Sequence, residues 1–528
     1  MPCDWLWRDR YEEGRLLERG TDLLRLSGGN RVASLRIIVT PASQGRSIRG
    51  VRGRGWLRVA TFGVLTVLVF GILLNGLMSH GFSGDLLMDI ANGRFILAHG
   101  YVPLKNVLTQ ARYGAQWAND EWLFGVYTAW LYANAGIQGV LWGLIPVLIL
   151  IASAIAFLAN RVPVLVAAPL TAVTAFAVGM GMSPRPQLFS YLFFAIALIS
   201  LLEYRLGRRW LLWAAALVTL VWTNLHGSAL LFPLLVLSEV LLVRHTRAQR
   251  KELGLAAVAG VLLSVAHPGG ATMGAGFLGE ILSPGIVNHI VEWLPLAPIS
   301  VDGWPMAVLF VFAGWLAWRA IRRDDSVSLA WLAVGIAVSA FAMRFMPYAA
   351  LGILAVAATE PSLGSALQSS PGRLKAWLAA VLLVGSVALG VGEGVSSPPF
   401  IITEPMPAIS WLKAHHARHV LDFYAFGDAL DLYGIQAWVD GRAELWTNQP
   451  WWEPYLRTQF GQASPALFAA RYDPSARYIM WFGFPATVRE MRRSPAWHLA
   501  YKDKQSASRI PDSQGVGVVD IWARTPNK

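Results

Sequence analysis

Cysteine is almost absent: one residue, Cys3, stands in a chain of 528. That excludes an intrachain disulfide and argues against thiolate metal sites, so any exported domain must be held by its own core. Charge is scarce too. Charged residues make up 14% of the chain against 55% hydrophobic ones, with mean hydropathy +0.46, a balance foreign to a water-soluble enzyme of this length. The chain reads as an α-helical polytopic membrane protein. Its formal charge of +12 is divided between the N-terminal segment and short loops beside apolar runs. This arrangement sets membrane orientation, and it excludes nucleic acid as the partner.

A membrane core needs about 20 apolar helical residues to cross it. That ruler picks out eleven candidate spans, near 56–78, 136–159, 163–182, 187–203, 209–225, 228–243, 253–267, 304–320, 327–343, 345–360 and 375–392. Two long stretches are interrupted by "NLHGS" and "MRFMP", each read as a short hairpin. Residues 1–55 carry eleven Arg and six acidic residues with no run long enough for a signal h-region. They form a basic cytoplasmic segment, disordered or a solvated flap, to which no function is assigned. With that end inside, inner loops hold thirteen Lys and Arg: Arg161; Arg205, Arg208 and Arg209; Arg244, Arg247, Arg250 and Lys251; Arg319, Arg322 and Arg323; Arg373 and Lys375. Outer segments before the tail hold five: Arg94, Lys105, Arg112, Arg185 and Arg344. The asymmetry places the C-terminal tail outside.

Composition shifts at 393. Residues 393–528 contain 14 basic and 13 acidic residues and no spanning run. Short β-rich runs ("HVLDFYAF", "IQAWVDGR", "ARYIMWF", "GVVDIWAR") and a helical "PAISWLKAHHA" predict a small α/β domain. The domains are therefore 1–55, a transmembrane domain 56–392 with a long outer loop 79–121, and an outer domain 393–528.

On this topology the out-of-place polar residues share one side: Asp85, Asp89, Asp120, Glu121, Arg185, His226, His267, His289, Glu292 and Arg344. Ionisable residues at span ends face a cavity or one another, so a single polar chamber is expected there. Segment 84–99, "GDLLMDIANGRFILAH", is helical, and Asp85 and Asp89 at i and i+4 share a face and repel. A cation, an arginine or a shared proton must compensate. Alternatively, Asp85 acts partly as a helix cap. The segment from Trp117 to Tyr132 becomes an amphipathic helix suited to the interface.

These residues resemble the bacterial membrane proteins related to the GT-C superfamily of polyprenyl-phosphate-sugar-dependent glycosyltransferases. "GDLLMDIANGRFILAHGYVP" is similar to the pattern Asp-Leu-Trp-Trp-His-x-x-x-Gly-x-x-Ile-Leu-x-x-Gly-x-x-Pro, and "WANDEWL" to Trp-x-x-His-Glu-Trp-Leu. "RPQLFSYLFF", "WTNLHGSALL", "HPGG", "IVEWLP", "RFMP" and, in the tail, "FYAFGDALDLYGIQAWVDGRAELW" follow in family order, covering roughly 79–528. The resemblance implies a multi-pass protein of the bacterial inner membrane, N-terminus cytoplasmic and C-terminal domain periplasmic. It would move a sugar from a polyprenyl-phosphate donor to a periplasmic glycan, lipid or protein acceptor. Asp85, by motif position, would be the base that deprotonates the acceptor, with Asp89 beside it. A carboxylate within reach of the attacking hydroxyl suits that task, and Arg185 and Arg344 suit a donor phosphate. His226, His267 and Glu292 would orient the acceptor, help with phosphate or bind a cation, with Asp120 and Glu121 as secondary candidates. Membrane lipid is the surrounding partner.

The chain departs from the family twice, with Met88-Asp89 in place of Trp-His and Asp120 in place of His. Two histidines have become carboxylates. Either the loop is retuned towards a divalent cation, magnesium or manganese at Asp85 and Asp89, or it has drifted from its chemistry. Blander roles stand beside the others. His226 and His267 can be structural, Arg344 can snorkel, Asp440-Gly441-Arg442 reads as a turn with a local ion pair, and the tryptophans belong to interfacial belts or to sugar stacking. A lipid-linked-glycan transporter and a non-catalytic assembly factor are the competing functions.

Overall fold

A computed structural model describes residues 48–79, 84–162, 164–270, 291–295, 304–360, 363, 405–503 and 518–526. The chain divides into two units, Met1–Gly55 and Trp56–Lys528. The expected span at 375–392, His289, and most of segment 1–55 lie outside the described residues.

The apolar runs fold as helices: α1 (Ile48–Ser79), α2 (Gly84–His99), α3 (Trp122–Ala159), α4 (Val164–Gly179), α5 (Gln187–Arg205), α6 (Trp210–Leu225), α7 (Leu231–Leu242), α8 (Arg247–Ser264), α9 (Trp304–Ile321), α10 (Ser326–Phe341) and α11 (Met346–Thr359). Local chemistry sets several ends. Thr246 and Gln249 form a capping box on α8. The Asp325 side chain accepts from Ser328 N–H at the start of α10, and α11 has proline in its first turn. Inside α3, Ala135 and Gly136 leave helical geometry, Gly136 at φ 61°, so the expected start of a span at 136 is a real break. "NLHGS" and "MRFMP" break as read, into 3-10 turns at Gly227–Leu230 and Met343–Phe345.

The count of eleven spans is not borne out. Among the described residues four helical stretches are long and apolar enough to cross a bilayer: Val59–Met78, Trp122–Ala159, Gln187–Arg205 and Trp304–Ile321. The other apolar helices are shorter: Trp210–Leu225 and Ser326–Phe341 have 16 residues, Met346–Thr359 has 14 and Leu231–Leu242 has 12. At 1.5 Å per residue the longest of these rises about 24 Å, short of the roughly 30 Å hydrocarbon core.

The end of the bundle where α5 and α11 finish sets buried acids among its basic residues. Fully buried Glu203 pairs with Arg161 and Arg208, fully buried Glu239 takes Arg205 in a two-point clamp of 2.8 and 2.6 Å, and Glu360 pairs with Arg319 and Arg323. Arginine forks matched to carboxylates tie the end of α3 to α5, α5 to α7, and the end of α9 to the end of α11, where burial forbids a lone charge.

Residues 405–526 hold the expected α/β fold. Helix α12 (Met406–Ala414) precedes β1 (His419–Asp422), α13 (Gly427–Leu432), β2 (Gln436–Ala437), α14 (Trp452–Gln459), α15 (Pro465–Tyr472), β3 (Tyr478–Phe482), α16 (Pro485–Arg493), β4 (Trp497–Asp503) and β5 (Val519–Arg524). The sheet runs β2-β1-β3-β5-β4, with β2-β1-β3 parallel and β3-β5-β4 antiparallel. Val420 sits opposite Ala437 on one side and Tyr478 on the other, and Met480 opposite Ile521. Strand β4, "WHLAYKD", was not read from the sequence. It alternates poorly, with a bulge between Leu499 and Tyr501.

Helix α2 is the joint of the molecule. It packs on α3 and on α13. A Cβ on Gly93 would lie 1.9 Å from the Gly125 carbonyl oxygen, so only glycine permits that crossing. The loop after α2 is irregular, and the α/β domain holds it. Gln110 and Ala111 N–H donate to the carbonyls of Ala437 and Trp438, continuing from the short β2.

Candidate functional site

Between the helical bundle and the α/β domain lies a cavity of about 480 Å³. Eight of the nine site residues expected from sequence line it: Asp85, Asp89, Asp120, Glu121, Arg185, His226, Glu292 and Arg344. They come from α2, the loop before α3, the turn before α5, the α6–α7 break, the Val291–Trp293 turn and the α10–α11 break. Breaks in apolar helices thus carry the polar groups, because the freed backbone and the side chains face a cavity rather than lipid.

His267 is the exception. Its Nδ1 accepts from Gly269 N–H at 2.9 Å and its Nε2 lies 3.3 Å from the Asn119 carbonyl. Both nitrogens are spent, so it ligates nothing in the cavity and instead fixes Asn119. That residue sits at φ 46° and is tied by side-chain hydrogen bonds to Asn92 and to the Pro103 carbonyl. The effect is to set the chain direction just before Asp120 and Glu121.

The two aspartates of α2 are not equivalent. Asp85 keeps 35% of its side chain exposed and pairs with Arg185 Nε at 2.9 Å; the Arg185 guanidinium also pairs with Glu292. Burial by surrounding protein pushes the Asp85 carboxyl above its ordinary value, opposed by Arg185 and reinforced by Glu292. Asp89 is 1% exposed. Its Oδ2 has no hydrogen-bond partner among the described residues. Burial first, and then the charge of Asp85, hold its carboxyl well above the usual carboxylate range, which favours the protonated form. Its burial comes from α3: a Cβ on Gly125 would lie 2.7 Å from the Asp89 carbonyl oxygen. Burial also raises Asp120, with backbone hydrogen bonds opposing.

The cations divide similarly. Arg185 is committed to two carboxylates, which keep it charged. Arg344 stacks on the Trp293 ring at 4.4 Å and has no carboxylate partner among the described residues. It is therefore the guanidinium open to an anion from outside the chain.

Sequence reasoning missed the contribution of the α/β domain. Phe423, Tyr424, Gly441, Glu444, Trp452 and Gln459 line the same cavity. The Asp440-Gly441-Arg442 turn does hold its ion pair, at 2.5 Å, and it also reaches the site. Arg442, 2% exposed, stacks on Trp117 at 4.4 Å and donates to Asn106 Oδ1 at 2.9 Å. Gly441 N–H donates to Asp428 Oδ1 at 2.7 Å. A Cβ on Gly441 would lie 2.7 Å from Asp85 Oδ1, so the glycine lets the turn close on that carboxylate. Glu444 accepts from Trp117 Nε1 at 3.1 Å; burial, reinforced by Asp120 and Asp440, pushes its carboxyl up to about 7. The signal was the "DGR" run, whose glycine called for a close approach.

Among the described residues no group of three or more His, Cys, Asp or Glu could hold a metal ion. Asp85 Oδ2 is already paired with Arg185 Nε, which commits one oxygen of the pair to a cation of the chain itself. What the cavity can do is accept a proton at Asp85 and hold an anion at Arg344.

No family model matches the chain, and no curated protein matches it by sequence. Solved structures with some likeness include three of the oligosaccharyltransferase of the archaeon Archaeoglobus fulgidus. The AglB enzyme in complex with an inhibitory peptide and a dolichol-phosphate is 12% identical at TM-score 0.49, covering 81% of this chain and 70% of that one. The apo form is 11% identical at TM-score 0.45, covering 80% and 69%. The form tethered to an acceptor peptide containing the NVT sequon is 11% identical at TM-score 0.48, covering 81% and 69%. Likenesses this distant leave the function to be read from the cavity itself.

Proposed function

We propose that the chain is a membrane glycosyltransferase of GT-C type, which moves a sugar from a polyprenyl-phosphate donor onto a hydroxyl or amide of an acceptor. It would act at the outer face of the inner membrane, with the α/β domain periplasmic. One observation carries the reading: one cavity presents a partly exposed carboxylate, Asp85, and an arginine, Arg344, without a carboxylate partner among the described residues. Its volume, about 480 Å³, suits a sugar phosphate and an acceptor group.

In the reaction the acceptor oxygen or nitrogen attacks the anomeric carbon and forms the new glycosidic bond. The bond from that carbon to the donor phosphate oxygen breaks, the lipid phosphate leaves with the electron pair, and the acceptor proton passes to Asp85. Arg185, fixed by Glu292, holds Asp85 in place and moderates its raised basicity. Arg344 steadies the charge growing on the leaving phosphate, where a preorganised cation in a dry site is worth most. Asp89, its protonated form favoured, keeps a second negative charge away from the base.

The test is sugar transfer by the purified protein in lipid bilayers, using isoprenyl-phosphate sugars and mixed glycan, lipid and peptide acceptors. General-base contributions of about 10²–10⁴ set the expected loss for Asp85→Asn, with an unchanged melting temperature. Transfer that survives in Asp85→Asn would remove Asp85 as the base. A wild-type protein that transfers nothing, yet is required for surface glycan in cells, would favour the assembly-factor reading.

A further inference from the structure

His226 occupies the break between α6 and α7, extended at φ −167°, and its ring is wired asymmetrically. The Ser228 backbone N–H donates to Nδ1 at 3.2 Å. A backbone amide can only donate, so Nδ1 carries no proton. The Ser228 hydroxyl lies on the same nitrogen at 2.8 Å and stands 2.8 Å from Ser190 Oγ, while Trp222 Nε1 donates to Ser190 at 3.0 Å. This buried chain of serines and tryptophan clamps one edge of the imidazole. The other edge faces the cavity, where Glu121 Oε1 stands 3.8 Å from Nε2, beyond hydrogen-bond reach. Burial and the charge of Arg344 keep the ring neutral, its pKa lowered to about 3. A neutral ring with an unprotonated Nδ1 carries its proton on Nε2.

We infer that His226 is a fixed neutral N–H donor which, with Arg344, makes the corner of the cavity that receives a phosphate oxygen of an isoprenyl phosphate, and that Ser228 and Ser190 are positioning residues for that donor. The inference rests on the proposed transfer reading and adds the ligand contact that reading lacks. Arg185 cannot supply it, being held by Asp85 and Glu292. The protonated Nε2 also removes His226 as a general base and as a metal ligand. A neutral imidazole holds an anionic oxygen without giving up its proton, and the leaving group needs none, because a phosphate monoester is already largely ionised at neutral pH.

The contrast with His267 shows what the cavity-facing edge is for. Both histidines accept a backbone N–H at Nδ1 from two residues on, but His267 spends Nε2 on the Asn119 carbonyl. The Nε2 of His226 has no hydrogen-bond partner among the described residues.

The test uses the full chain in phosphatidylcholine nanodiscs, with farnesyl phosphate and inorganic phosphate as probes. Glutamine places an amide N–H where Nε2 stands, and asparagine places one where Nδ1 stands. His226→Gln should bind farnesyl phosphate within about threefold of wild type, and His226→Asn about 10–100-fold more weakly, the cost of a lost hydrogen bond to a charged group. Ser228→Ala should weaken binding less and loosen the ring. The ¹⁵N spectrum of histidine-labelled protein, assigned by difference against His226→Gln, should show Nδ1 bare and Nε2 protonated, with the Nε2 signal moving on addition of farnesyl phosphate. A protonated Nδ1, or equal binding by the Gln and Asn variants, overturns the inference. Inorganic phosphate binding as well as farnesyl phosphate assigns the corner to free phosphate and overturns the lipid-linked ligand. A wild-type protein that transfers sugar but ignores farnesyl phosphate overturns this inference and spares the transfer reading; one that does neither overturns both.

Discussion

Replacing Gly441 with alanine tests whether the α/β domain closes on Asp85, the carboxylate proposed as the base. The added methyl would lie 2.7 Å from Asp85 Oδ1 and 3.1 Å from Asp428 Oδ1, where ordinary contact begins at 3.4 Å. Asp428 is 4% exposed and accepts the Gly441 N–H, so it has little room to move. Asp85 has more, with 35% of its side chain exposed. Its carboxylate must retreat by about 0.7 Å to restore contact distance, which loosens its 2.9 Å pairing with Arg185. Misplacing a reacting group by about 1 Å costs on the order of 10² in rate, so turnover should fall about 10–100-fold. The stability cost should stay within the 1–3 kcal/mol of ordinary overpacking, because the clash is met by the end of a half-exposed side chain. The assay pairs turnover in bilayers with a thermal melt. Turnover within twofold of wild type would refute the contact between turn and base. A collapse of the melt with turnover lost in proportion would show that Gly441 serves folding instead.

Two further predictions follow from the charges. Asp89→Asn should stabilise the protein at neutral pH, because asparagine fills the same site without a carboxyl whose ionisation burial opposes. Because burial raises the Asp89 pKa in the folded state, its contribution to stability is complete below the ordinary carboxylate value and is lost as pH rises through the raised one. The wild-type protein should therefore lose stability on alkalinisation along a slope the variant lacks, measured by chemical denaturation across pH. For Arg185→Gln, removing the cation that lowers the Asp85 carboxyl should shift the acid limb of kcat/KM, already above the ordinary carboxylate range, to still higher pH; an unmoved limb would detach Asp85 from the rate profile.

The sequence is informative where chemistry is local. Apolar runs became helices, and the two interruptions around His226 and Arg344 became turns, because glycine, proline and polar side chains end a helix wherever it sits. The gathering of charged residues from several loops into one cavity was legible from their places at the ends of apolar runs, since ionisable residues avoid lipid. What depended on distant partners was hidden. The i, i+4 spacing of Asp85 and Asp89 predicts a shared face, but only the crossing of α2 with α3 at Gly93 and Gly125 decides that Asp89 is fully buried while Asp85 stays partly exposed. Glu203, Glu239 and Glu360 look like ordinary loop-edge acids until the helices bring arginines to them. Glu444 reaches Trp117 across more than 300 residues of sequence, and no periodicity announces such a contact. The span count failed for a different reason: hydropathy registers apolar length, whereas several of these helices stop at 16 residues because the break itself carries a cavity side chain.

The most direct test of the account is a structure of the full-length protein in a bilayer with a non-transferable phosphonate analogue of an isoprenyl-phosphate sugar. The account predicts the phosphonate against Arg344 and the His226 Nε2, with the anomeric carbon turned towards Asp85. A phosphonate seated elsewhere, or a sugar whose anomeric carbon lies out of reach of Asp85, would contradict it.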